Sequence, residues 1–143
     1  MNSRNLTLVL LGAWLAVMLS GSAFAADWRT VSETADGQVF VDRSSLSTTA
    51  AGTEANVIVN YATEKTLGDW YPHRSRVLRY ELLCATGEVR VEGWTFASGE
   101  LGSGKAVWTE AVSRVPTKPA AGTVESAVLA AVCDPAKVSL LTR

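Results

Sequence analysis

The residues able to do chemistry are few, and many of them fall in one stretch, DWYPHRSRVLR, from Asp69 to Arg79. It contains the single histidine, His73. A catalytic base needs an orienting partner and a reacting group within hydrogen-bond reach. His73 has Pro72 on one side and arginines on the other, so it reads as a solvated loop residue. No nucleophile elbow, HExxH zinc motif, phosphate loop or glycine fingerprint for dinucleotides occurs anywhere in the chain. The carboxylates Glu64, Asp69, Glu88 and Glu92 alternate with apolar residues or lie in loops, and no pair stands out for general acid and base work. The expectation is a protein that is not an enzyme and carries no cofactor and no metal.

What the stretch does offer is charge beside aromatic area. Arg74, Arg76 and Arg79 form the one local concentration of positive charge, next to Trp70 and Tyr71. One reading makes them the solvent end of a strand, neutralised by Glu81 and by Glu88 or Glu92 across a hairpin. The other makes them a docking site for an acidic partner, a sulfated glycan or an acidic protein segment, with Trp70 and Tyr71 adding apolar contact and a polar tip. Of the other tryptophans beyond the leader, Trp28, Trp94 and Trp108 fall in strand patterns, where an indole most often fills a core. Trp70 falls in the long loop, and if any indole is exposed for binding it is this one.

How the two cysteines, Cys84 and Cys133, are read depends on the compartment, and the N-terminal segment speaks to that. The chain opens with MNSRN and one positive charge, then an apolar run without ionisable residues from Leu6 to Leu19. That run is shorter than the roughly 20 apolar residues of a spanning helix and suits a signal peptide. Small residues follow, and Ala23 and Ala25 fit the pockets of a signal peptidase, so cleavage is expected after Ala25, with Ala26 as the alternative. The sequence LSG at Leu19 to Gly21 is followed by Ser22, not by the cysteine that bacterial lipoproteins acylate. The expected product is thus a single exported domain, residues 26–143, periplasmic or secreted in a Gram-negative bacterium, neither a lipoprotein nor membrane-anchored. In an oxidising compartment an even pair of distant cysteines reads as a disulfide. Closing a loop of about 50 residues is worth roughly 4 kcal/mol at most in the chain-entropy model.

Removal of the leader takes Arg4 from the 13 Lys and Arg and leaves the 14 Asp and Glu intact. A slightly acidic export product has no general attraction to nucleic acid, and a protein partner is expected instead.

The elements that would position these groups are mostly strands. Alternation marks WRTVSET and QVFVD around an ADG turn, then NVIVNYA. TEKTLGDWYPH breaks the pattern as a surface excursion, because proline argues against a strand there. RSRVLRYELLCA puts Leu78, Tyr80, Leu82 and Cys84 on one face and turns through TGE into VRVEGWTFA. SGELGSG reads as flexible, and KAVWTEAV as a sixth strand. TVESAVLAAVC places Val124, Val128 and Val132 at helical spacing behind an N-cap at Thr123, with Glu125 in the first turn and Asp134 and Pro135 as the stop. The expected fold is α+β: about six antiparallel strands in meander order, with one C-terminal helix on a face and tied to it by Cys84 and Cys133.

The order DWRTVSETADGQVFVDRSSL, VIVNYAT, RSRVLRYELLCATGEVRV, a glycine-rich stretch and VESAVLAAVC resembles the surface-adhesin protein E family of Gram-negative bacteria. The shared marks fall at Trp28, Asp42, Tyr61, Cys84 and Cys133. The resemblance implies an antiparallel sheet with a disulfide-linked C-terminal helix. It also implies a binding protein for host matrix or serum proteins such as laminin, vitronectin and plasminogen, with homodimerisation within its repertoire. The adhesin of that family is a surface lipoprotein, and Ser22 departs from it. A second expectation is a periplasmic inhibitor or accessory protein that binds another envelope protein.

Overall fold

The alternating segments form strands, and a computed structural model describes them for residues 26–134, 136 and 137. β1 (Trp28–Thr34) turns through Ala35 and Asp36 into β2 (Gly37–Asp42). Asp42 ends β2 as expected: its Oδ1 accepts from the backbone N–H groups of Asp27 and Ser44, both at 2.9 Å, and from Ser44 Oγ at 2.6 Å. The short β3 (Ser47–Thr48) precedes β4 (Thr53–Leu67), which pairs with β5 (Tyr71–Leu83), then β6 (Glu88–Ala97) and β7 (Ala106–Ala111). The order across the sheet is β1-β2-β4-β5-β6-β7, antiparallel throughout, with β3 beside β4. This is the expected meander, with the two-residue β3 added to the six strands read from sequence.

Two expectations need correction. The segment around Pro72 is not a loose excursion: β4 and β5 continue as a long hairpin in which Lys65 faces His73 and Thr66 faces Pro72, turning at Gly68 (φ 60°). Pairing between β5 and β6 begins at Ser75, so beyond that point β5 has a neighbour on one side only, the setting in which a strand tolerates proline. Nor is the glycine-rich SGELGSG unattached. Ser75, fully buried, donates from Oγ to Gly99 O (2.6 Å) and accepts from Gly102 N–H (2.9 Å), while Asn60 Oδ1 accepts from Leu101 N–H (2.8 Å). The loop lies so close over Val77 and Ile58 that a Cβ on Gly102 would come within 3.0 Å of Val77 Cγ2.

The core lies on the opposite face. Register aligns Val41, Val57, Leu78 and Trp94 in one row and Ala55, Tyr80 and Val91 in the next. Over them lies α1 (Val124–Cys133), which buries Val128, Ala131 and Val132. Thr123 caps it, Oγ1 accepting from Ser126 N–H. Two links, one to β5 and one to the residue just after it, fix the helix. Tyr80 donates its phenolic O–H to Glu125 Oε1 at 3.0 Å, and Cys84 is bonded to Cys133, 49 residues away, with Cα atoms 5.3 Å apart. Four strand residues span about 13 Å and eight helical residues about 12 Å, so both links close together only with helix and strand running the same way.

Candidate functional site

Strand alternation that buries Leu78, Tyr80 and Leu82 also sends Arg76 to the helix-covered face. Register puts it in the row Val39, Val59, Arg76, Phe96, Trp108. Its guanidinium lies 6.0 Å from the Phe96 ring centre, and its Nε is buried without a hydrogen-bond acceptor. Arg76 forms no ion pair among the described residues. A half-buried cation in an apolar row is unfavourable unless something compensates it.

Beside Arg76 opens a groove of about 450 Å³. Leu78, Val91, Trp94 and Phe96 supply apolar walls, Leu67 and Trp108 the outer rim. Arg114 crosses it with its guanidinium 5.0 Å over the Trp94 ring. Glu110 and Glu125 complete the lining. A second opening of about 290 Å³, between the β1–β2 hairpin and Gly122–Val124, reaches Arg76 from its other side. Tyr80 below is kept protonated: burial, then the nearby Glu125 carboxylate, push its phenol well above the ordinary tyrosine range.

The residues singled out from sequence separate. Trp70, at the hairpin turn, is 83 % exposed, and Tyr71 packs against Trp108 with ring centres 5.6 Å apart. Arg74 pairs with Glu100 (2.6 Å) and Arg79 with Glu92 (3.3 Å), so the three arginines do not form one patch, and only Arg76 joins the groove. His73 corrects the solvated reading: it is 3 % exposed, edge-on between Tyr61 and Phe96, with Nδ1 2.9 Å from Tyr71 O. Trp94 is half-buried against the core as expected, whereas Trp108 is 42 % exposed and not core. Cys84 and Cys133 are joined as expected. The leader with Ala23 and Ala25 lies outside the described residues, as does Pro135, and Ala26 is an exposed residue at their start.

Sequence reasoning missed Trp108, Phe96 and Arg114 as groove residues. The pairing of Phe96 with Trp108 is set by register, which needs the bulge between Phe96 and Ala97 to be known. Among the described residues no cluster of three or more metal-ligating side chains occurs, and no helix is long and apolar enough to cross a membrane.

The family model described as Surface-adhesin protein E matches residues 28–134. The chain belongs to that family. Solved structures of Haemophilus influenzae protein E share the fold. Its selenomethionine form is 14% identical with a TM-score of 0.57, covering 78% of this chain and 92% of that one. Its crystal form II is 15% identical with a TM-score of 0.53, covering 66% and 79%. No curated protein matches the sequence. The family's sheet, its C-terminal helix and the disulfide between them are thus present here, and family membership with a disulfide points to an exported, adhesin-like protein. Nothing at such identity transfers a ligand position from the solved structures to the groove.

Proposed function

We propose that this protein is an exported, non-enzymatic binding module that attaches to host matrix or serum proteins, through the groove at Arg76, Trp94 and Trp108. The observation that carries the reading is exposed aromatic surface beside two arginines that have no ion pair among the described residues. Trp70, Tyr71, Trp108 and Leu67 are all open to solvent at the same end of the sheet. Aromatic residues and arginine are the side chains enriched in protein interfaces, and a few of them carry most of the binding energy. Family membership supports adhesion as the purpose, and the protein ligands the resemblance implies, laminin and vitronectin, are the first to try.

Solid-phase binding of the mature chain to laminin and vitronectin tests this. Trp108→Ala should weaken binding by about 30-fold if it acts as an interface hot spot. Binding unchanged by Trp108→Ala and by Arg76→Gln would remove the groove from the account.

A second reading has one observation in its favour. β7 is an edge strand, paired with β6 alone among the described residues, and mostly exposed. Such an edge suits strand addition by a segment of another envelope protein, or by a second copy. One stoichiometric partner recovered from periplasmic extract, and lost on a proline substitution at Thr109, would favour that accessory role.

A further inference from the structure

The groove's chemistry narrows what it would hold. Arg76 and Arg114 both line it, and neither is neutralised by a carboxylate within ion-pair distance among the described residues. Arg74, Arg79 and Arg90, elsewhere on the sheet, each have such a partner. The contrast leaves the Arg76 and Arg114 guanidiniums without direct carboxylate contact among the described residues, with Glu110 and Glu125 in the same lining beyond ion-pair distance. A guanidinium presents a planar fork of N–H donors that matches a carboxylate or sulfate in two-point contact.

The rest of the lining favours a sugar over a peptide. Trp108 and Tyr71 form an adjoining pair of partly exposed rings at the outer end, and the Trp94 ring lies further in under Arg114. The electron-rich faces of such rings attract the C–H face of a pyranose, whose hydrogens carry partial positive charge. Glu110, open to solvent, and Glu125 are acceptors suited to hydroxyl groups. An extended peptide would instead bond to the free backbone edge of β7, which points in the plane of the sheet and away from a groove on its face. A volume of about 450 Å³ holds a short saccharide unit and lies inside the usual range for small-ligand sites.

We propose that the groove binds an acidic saccharide, a uronate- or sulfate-bearing sugar whose anionic group bridges Arg76 and Arg114 while its ring stacks on Trp108. This rests on the groove being the binding surface and names the chemistry it recognises. A matrix- or serum-binding module would then hold its partners by their acidic glycan chains.

The probe is a heparin-derived hexasaccharide titrated into the mature protein, followed by tryptophan fluorescence and calorimetry, with maltohexaose as the neutral control. Saturable binding of the acidic probe is expected and none of the neutral one. Arg76→Gln and Arg114→Gln should each weaken it about tenfold, the usual effect of losing a hydrogen bond to a charged group. Arg79→Gln, on the other face, should leave it unchanged. Equal binding of maltohexaose, no binding of the acidic probe, or an Arg79→Gln effect as large as that of Arg76→Gln would overturn the proposal. Thermal unfolding of each variant confirms that it is folded, and Arg114→Gln stands in if Arg76→Gln is not. Failure here with Trp108→Ala still lowering laminin or vitronectin binding would sink the saccharide and leave the binding surface standing.

Discussion

Arg76 occupies a row otherwise made of Val39, Val59, Phe96 and Trp108, and a leucine there would continue the core. A charge kept at an apolar position is usually replaceable by a packed hydrophobe without loss of stability. Arg76→Leu is therefore expected to raise unfolding stability by about 1–2 kcal/mol in urea titration while it lowers ligand binding. A variant that is markedly less stable would show Arg76 to be structural. Tyr80 gives a second residue-scale test. Its phenol is raised in the folded state by burial and by Glu125, so stability is complete below the ordinary tyrosine value. It falls as pH rises above about 10, where only the unfolded chain readily loses the proton. Tyr80→Phe should flatten that alkaline decline and, at neutral pH, cost about 1 kcal/mol for the lost hydrogen bond to Glu125. At this scale the sequence showed which arginines cluster along the chain but not which are neutralised. Glu100, the partner of Arg74, comes from a loop 26 residues away, and nothing local in sequence announces it.

The C-terminal helix was legible because its apolar spacing, its Thr123 cap and its terminal cysteine agree with one another. Its attachment was half legible: the disulfide could be read from cysteine number and compartment, whereas the Tyr80–Glu125 bond could not. Replacing Cys84 and Cys133 together by serine should lower stability by about 2–5 kcal/mol. The helix would then keep only its Glu125 end, and hydrogen exchange should increase most near Cys133. The long β4–β5 hairpin is not legible from sequence because proline and glycine usually punctuate strands, whereas a strand with one neighbour accommodates both. The loop 99–104 reads as flexible from its glycines, because nothing local in sequence announces the buried Ser75 hydroxyl beneath it. Ser75→Ala removes both bonds of that hydroxyl to Gly99 and Gly102, leaving a buried donor and acceptor unmatched. A loss of about 1–3 kcal/mol is expected, with faster exchange at the Gly102 amide. Unchanged exchange there would show that the loop is held by other contacts.

On the scale of the whole molecule, one face of the sheet is covered by the helix and Gly102 lies close over the other. The helix leaves the β5–β6–β7 end of its face open. That opening is where the exposed rings meet the guanidiniums of Arg76 and Arg114, which have no ion pair among the described residues. The antiparallel sheet, the helix and the link between them were legible because each rests on a repeating pattern. The groove was not, because it depends on where the helix stops relative to the register of β6 and β7. A partner bound at this opening would cover its rings. Hydroxyl-radical footprinting of residues 26–143, free and saturated with laminin or vitronectin, reads that cover. Oxidation of Trp108 and Tyr71 should fall several-fold while Trp28, at the far edge of the sheet, reacts as before. Trp108 remaining fully reactive in the saturated complex, or protection confined to Trp28, would place the partner elsewhere on the sheet.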